Sequence, residues 1–291
     1  MKPAVDYNVQ KHLITSLEKI ERYFDCDILS YFGPIVDGYE NILLNIIEQL
    51  VNDPNRKDKL FVVLTTGGGS ATAVERFVNI IREHYDEVNF IVPDYAYSAG
   101  TIFCMSGDNI YMDYFSVLGP IDPQVQNKEG KLVAALGYLD KINELIEKAK
   151  NNELTQAEFL ILKDFDLAEL RGYEQAKELT ITLLKKWLVK YKFKNWTHHM
   201  TNPEIHGEEV TEVEKEVRAE EIADQLSDNN KWKSHRRPLN IDCLENELKL
   251  KIENYSNNDE FRTIIRNYYE LLSDYIHKNG FRIFVHTRKY I

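Results

Sequence analysis

Phe61-Val62-Val63-Leu64-Thr65-Thr66-Gly67-Gly68-Gly69-Ser70-Ala71 passes from a β-branched apolar run, through three glycines, into an amphipathic stretch that continues to His84. A short apolar run closed by a turn signal reads as a buried strand, and the periodic segment after Ser70 reads as a helix. The same order returns downstream. Residues 88–92 are again apolar and β-branched, Pro93 breaks them, and Tyr95-Ala96-Tyr97-Ser98-Ala99-Gly100-Thr101 leads into a second apolar helix that starts near Ser98. Strand, glycine turn, helix, strand and serine turn is the pattern of a sheet with crossover helices.

Working outward, residues 109–112 give a further strand, 28–32 an earlier one, and 39–50 a helix before the glycine turn. In such open α/β sheets, sites gather where strands end, and each of these strands is followed by a break. From about Leu136 the β-branched runs give way to charge-rich helical periodicity at 176–191 and 210–226, with another helix near 241–250. Residues 228–238 are polar and turn-prone and read as a linker. The expectation is an α/β core over residues 1–135 and a mostly helical region over 136–291.

Composition narrows the function classes. A 43% hydrophobic share over 291 residues is enough for a sizeable core, and a formal charge of -11 opposes broad attraction to phosphate backbones or anionic membranes. Nucleic acid and membrane surfaces are therefore poor partners. Lys185, Lys186, Lys190, Lys192 and Lys194 form a local basic cluster, which reads as a solvated helix face. Cys26, Cys104 and Cys243 form no CxxC pair, which fits a reducing, cytoplasmic setting. The first ten residues lack a basic segment followed by an apolar one, and no run of about 18 apolar residues occurs, so neither secretion signal nor membrane span is expected.

The two turns carry the chemistry. Backbone N–H groups are unpaired where a strand hands over to a helix, and glycines let the chain approach a ligand closely. The Lys-Ser/Thr ending of a phosphate-binding loop is missing after Gly69, as is the GxGxxG spacing of a dinucleotide site. An oxyanion hole uses the same donors for a developing negative oxygen. Ser98 sits at the other turn as a candidate nucleophile, although a serine there equally suits a plain helix N-cap.

These residues resemble the Clp-protease/crotonase superfamily. Gly68-Gly69-Ser70-Ala71-Thr72-Ala73 is similar to its oxyanion turn, and Tyr97-Ser98-Ala99-Gly100 to the nucleophile turn of the signal peptide peptidase A branch. Gly107-Asp108-Asn109-Ile110-Tyr111-Met112 is similar to that branch's next strand. A resemblance over nearly the whole chain points to the serine dehydrogenase proteinase family. It rests on Leu118-Gly119-Pro120-Ile121-Asp122-Pro123-Gln124, Tyr191-Lys192-Phe193-Lys194-Asn195-Trp196 and Trp232-Lys233-Ser234-His235-Arg236-Arg237. In the last motif the family favours glycine where this chain has Arg236. The resemblance implies a Clp/crotonase-like core of repeated ββα units, a soluble serine endopeptidase, a polypeptide substrate and a homo-oligomer. It implies Ser98 as nucleophile, with N–H groups around Gly68, Gly69 and Ala99 as oxyanion hole.

A serine hydroxyl needs a base within reach. The turn at 118–123 holds no histidine, so the Clp triad order is unsupported, whereas the signal peptide peptidase branch resembles a serine-lysine pair. Lys141 lies in the matching region, among Leu136, Leu139, Ile142, Leu145 and Ile146, and burial there would lower its pKa toward neutrality. It is the first choice, with Lys131 and Lys148 behind it. His235 is the alternative base, since a histidine needs little tuning near neutral pH. Asp122 has the chemistry to orient a base or bind a partner backbone, but an aspartate before a proline reads first as a turn former, and it stays outside the catalytic set. His198, His199 and His206 lack a zinc constellation, so no metal and no cofactor are expected. Two other functions remain open: an acyl-CoA enzyme using the same turn for an enolate, and an inactive scaffold protein. Whether an adaptor or ATPase delivers substrate is unknown from sequence.

Overall fold

The computed structural model describes residues 4–122, 124–126, 130, 132–200 and 203–291. Its first half runs α1 (Ala4–Phe24), β1 (Asp27–Phe32), α2 (Glu40–Val51), β2 (Lys59–Thr65), α3 (Ala71–His84), β3 (Glu87–Val92), β4 (Tyr95–Ala96), α4 (Ala99–Met105), β5 (Asn109–Met112) and β6 (Val117–Leu118). The second half adds β7 (Gln124–Gln126), β8 (Leu132–Ala134), α5 (Ala135–Lys150), α6 (Gln156–Lys163) and α7 (Leu167–Trp187), which runs into a π turn, Leu188–Lys192. After these come α8 (Glu212–Leu226), α9 (Asn229–Trp232), a second π turn (Cys243–Glu247), β9 (Glu253–Asn254), α10 (Asp259–Asn279) and β10 (Phe284–His286).

One six-stranded sheet organises the chain, in the order β10-β1-β2-β3-β5-β9. Only β10 runs antiparallel; the other pairings are parallel, with Ile28 opposite Phe61 and Val62 opposite Phe90. Parallel strands joined by crossovers are covered on both faces, and the alternation of side chains feeds two cores. Leu60, Val62 and Leu64 of β2 enter a large core beneath α2, α3, α4, α7 and α8. Phe61 and Val63 enter a second core with Leu13, Leu17 and Ile20 of α1 and Ile265, Tyr268 and Leu272 of α10.

The mixed α/β architecture agrees with the sequence. Expected strands at 28–32, 61–64, 88–92 and 109–112 each fall within β1, β2, β3 or β5. Three features differ. Helices α1 and α10 were not expected, although α10 has an Asn258 cap, acidic residues in its first turn and Gly280 at its end, and the apolar faces of both cover the second face of the sheet. The helix expected over 241–250 stops early, where Lys249 takes a left-handed φ of 51° and Leu250 donates back to the Leu244 carbonyl at 2.9 Å. Third, the division at residues 135 and 136 does not divide the sheet, because β9 and β10 come from the second half and pair with β5 and β1.

In the basic cluster, Lys186, Lys190 and Lys194 are exposed, as expected of a solvated face, and three of its five lysines also have partners. Lys185 pairs with Glu220 at 2.9 Å, Lys194 pairs with Asp108, and Lys192 donates to the Lys251 carbonyl at 2.8 Å. No described helix is long and apolar enough to cross a membrane.

Candidate active site

Above the end of the large sheet lies a narrow second ladder, and it explains how residues far apart in sequence meet. Beyond β2, Thr66 bridges Ala96: the Thr66 N–H donates to Tyr95 O at 3.1 Å and the Tyr97 N–H to Thr66 O at 3.0 Å. Next, β4 pairs in parallel with β6, matching Ala96 with Leu118. Leu118 in turn exchanges two bonds of 3.0 and 2.9 Å with Leu239 in an antiparallel bridge. Each rung carries a site element. The glycine turn follows Thr66, Ser98 follows Ala96, Asp122 follows Leu118, and His235 precedes Leu239.

The two turns are in contact. Gly68 has φ of 102°, and a Cβ there would lie 2.8 Å from the Tyr97 carbonyl oxygen and 2.9 Å from Ser98 Cβ. Gly69, at φ 150°, faces Ile35 so closely that a Cβ would fall 1.9 Å from its carbonyl oxygen. Any side chain at either position would push the turn off Ser98 or off the strand behind it. The Gly68 N–H is committed to Thr66 Oγ1 at 3.0 Å, so Gly68 contributes space to the site and spends its own donor inside the turn. Ile35 bonds the residues on either side of Gly69, from Ile35 N–H to Gly68 O and from Ser70 N–H to Ile35 O, both at 2.9 Å. In a parallel bridge this turns the Gly69 N–H to the opposite edge. Ala99 is the first residue of α4, where an N–H has no intrahelical acceptor.

Ser98 has φ of 54° and ψ of -117°, an uncommon conformation for a residue with a side chain, and its hydroxyl makes no capping bond to α4. The plain N-cap alternative therefore does not describe it. Its side chain lines a cavity of about 570 Å³ bounded also by Gly67, Gly69, Ile102, Ile121, Asp122, Leu179, Thr180 and His235.

His235 reaches this cavity from residues 228–238, which are more than a linker. Asp228 caps the one-turn α9 through the Lys231 N–H, the Trp232 ring is buried with its Nε1 donating to Gln225 O at 2.6 Å, and Lys233 turns the chain with φ of 64°. His235 Nδ1 is buried without a hydrogen-bond partner. Burial first, and then the Arg236 guanidinium, hold the imidazole below its ordinary pKa, so the neutral form that can accept a proton is favoured.

Asp122, set aside as a turn former, is 3% exposed in the same cavity. One carboxylate oxygen, Oδ1, accepts the Leu136 N–H at 3.2 Å at the start of α5, while Oδ2 is buried and unpaired. Burial pushes its pKa up to about 6, Asp140 adding to the rise and the Leu136 N–H opposing it. Ser98, His235 and Asp122 thus line one cavity, the imidazole and the carboxyl each with a buried polar atom that has no partner. Burial was the signal that identifies Asp122, and the sequence does not display it.

Lys141 is not brought to this wall. Its side chain is 55% exposed on α5, with Nζ 2.9 Å from both oxygens of Glu144, while its neighbours Leu136, Ile142 and Leu145 are buried. Lys148 pairs with Glu144 at 3.1 Å and Glu158 at 2.7 Å. Lys131 lies outside the described residues. His199 Nε2 sits 3.1 Å from Glu214, and no His, Cys, Asp and Glu group suited to a metal ion occurs among the described residues.

The sequence profile of the ClpP-like SDH-type serine proteinases matches residues 35–218. Among curated relatives, the uncharacterized protein MJ0137 of Methanocaldococcus jannaschii is 32% identical over 49% of this chain and 49% of its own length. The uncharacterized protein MJ1495 of the same organism is 27% identical over 74% of this chain and 56% of its own length. The chain thus spans about half the length of the curated relatives it matches. Among solved structures, a mutant of the 1510-N membrane-bound stomatin-specific protease in complex with a substrate peptide superimposes with a TM-score of 0.34 at 18% identity, over 55% of this chain and 57% of that one. A second mutant of that protease gives 0.30 at 21% identity, over 50% of this chain and 81% of that one.

Proposed function

The chain belongs to the ClpP-like SDH-type serine proteinase family, and from that premise we propose that it is a serine endopeptidase that cleaves polypeptides through an acyl-enzyme on Ser98. The observation that carries the proposal is the pose of Ser98. It stands at a helix start in a costly backbone conformation, against a glycine turn that only glycine can form, with its hydroxyl left free of capping.

His235 is the base this reading favours over Lys141, because it shares the cavity with Ser98 and is held neutral, whereas Lys141 is engaged by Glu144 on an exposed face. Ser98 Oγ attacks the scissile carbonyl carbon as His235 accepts the hydroxyl proton, and the carbonyl π pair moves onto oxygen. The Gly69 and Ala99 N–H groups hold that oxyanion beside Gly68. Collapse breaks the C–N bond, and the amine leaves with the proton from His235; water, deprotonated by His235, then releases the acyl group. Asp122, which lines the same cavity, orients His235 when ionised and stabilises its protonated form; each of the two side chains has a buried polar atom without a partner. We further propose a homo-oligomer at work in a reducing cytoplasm.

A fluorophosphonate probe tests this directly. The parent protein should be labelled on Ser98, as read by peptide mass spectrometry, and Ser98→Ala should lose both label and peptidase activity. Equal labelling of the two proteins would reject the nucleophile.

A further inference from the structure

Thr101 lies one turn into α4 from Ser98, with no solvent exposure, and its hydroxyl meets three backbone groups, one on Ala96 of β4 and two on Gly119 just after β6. Oγ1 accepts the Gly119 N–H at 3.0 Å and lies 2.9 Å from the Ala96 carbonyl and 2.8 Å from the Gly119 carbonyl. A hydroxyl has one proton, so it donates to one of these carbonyls at a time while still accepting from Gly119. Ala96 sets the strand that delivers Ser98, and Gly119 opens the loop that delivers Asp122. The packing at this junction leaves no slack: a Cβ on Gly119 would fall 2.4 Å from the Tyr97 ring, and a Cβ on Gly100 would fall 2.4 Å from the Thr66 methyl.

We propose that Thr101 is a positioning residue for the peptidase reaction, its buried hydroxyl fixing the Asp122 loop in register with the Ser98 turn. The proposal rests on Ser98 and Asp122 having the roles given above. A valine at 101 keeps the shape but leaves the Gly119 N–H buried without an acceptor, and the loop must move to find one. A displacement of the order of 1 Å at a reacting constellation costs about 100-fold in rate.

The test compares Thr101→Val with Thr101→Ser on a fluorogenic peptide, alongside thermal melts. The valine variant should lose about 10- to 100-fold in kcat, with KM moving little. The serine variant, which restores the hydroxyl with less bulk, should return kcat to within about threefold of the parent. A structural role alone predicts lower melting temperatures in the variants with kcat of the folded protein close to the parent value, so the melts and the split between kcat and KM separate it from positioning. The proposal falls if folded Thr101→Val keeps the parent kcat, or if Thr101→Ser loses as much as Thr101→Val. Should Thr101→Val fail to fold, Thr101→Cys, whose thiol is a weak donor and acceptor of similar size, is read by the same split between kcat and KM. Failure of the parent reading is separate: it shows as Ser98→Ala retaining label and activity, whatever position 101 does.

Discussion

Ser70 and Ser98 occupy equivalent places, each the last residue before a helix that follows a strand and a turn, and the fold uses them in opposite ways. Ser70 has φ of -80° and ψ of 123°, accepts the Ala73 N–H at 3.1 Å, and hydrogen-bonds with Asp37 at 2.9 Å and Thr72 at 2.7 Å. Its hydroxyl is fully employed in closing α3. Ser98, with φ of 54°, makes no side-chain capping bond to the N–H groups of α4. A residue held in a sparsely populated conformation costs on the order of 1–3 kcal/mol, so the surroundings must over-determine it. Here Gly68 supplies the space and the bridge from Thr66 to Ala96 supplies the grip. One serine lowers the energy of its helix, while the other keeps a hydroxyl available at some expense.

The sharpest way to break this contrast is to attack the base. His235→Ala should lower kcat by about 1,000-fold or more, whereas Lys141→Met should leave it within about twofold, both read by steady-state peptide hydrolysis. The opposite ordering would transfer the role of base to the α5 lysine.

Gly68→Ala comes next. Its added methyl meets the Tyr97 carbonyl oxygen and Ser98 Cβ, so labelling of Ser98 should slow by about 100-fold and stability should fall by about 2 kcal/mol, measured by probe kinetics and urea titration. The same substitution at Gly67, where nothing lies within 4 Å of an added Cβ, should do far less.

A smaller effect concerns pH. Since Asp122 has its pKa raised to about 6, it is protonated below that value and ionises as pH rises through it. If the ionised form orients His235, kcat/KM should climb along an acid limb near pH 6, and Asp122→Asn should move that limb to lower pH, where protonation of His235 alone sets it, and cost about 10-fold or more of the rate. Stability should move the other way. A raised pKa means that the fold favours the protonated carboxyl, so the parent should lose stability relative to Asp122→Asn as pH rises from below 4 through about 6. Melting curves of both proteins across that window measure the sign.

The smallest change should come from Ser70→Ala. Loss of the cap should cost about 1 kcal/mol in a denaturant titration and leave labelling of Ser98 almost untouched.

Both turns were legible in the sequence because glycine runs and small residues around a serine mark backbone geometry directly. What separates Ser70 from Ser98 was not, since the φ of each is fixed by the strand packed beside it. His235 could be nominated from its chemistry, but its meeting with Ser98 depends on the Leu118–Leu239 bridge, which a local pattern does not encode. Asp122 looked like a turn former because a proline follows it, and its turn geometry hid a burial that sequence periodicity cannot report. Lys141 drew attention through apolar neighbours, yet of these Leu136, Ile142 and Leu145 are buried without it, and its ammonium pairs with Glu144 on an exposed face. The strands β9 and β10 were missed for a related reason: each is only two or three residues long and has meaning only against β5 or β1.

The antiparallel pairing of β10 with β1 has a bearing on biosynthesis. A strand formed from residues 27–32 emerges from the ribosome early, but its open side is closed only when residues 284–286 arrive, and Arg288 then bonds Glu21 and Asp27 at 2.7 Å. Until that moment the nascent sheet carries a bare backbone edge, the kind of surface on which chains stick to one another. A stalled or prematurely released chain would therefore be prone to aggregate even with the Ser98 turn already made, so that turn and colloidal safety are acquired at different stages of synthesis.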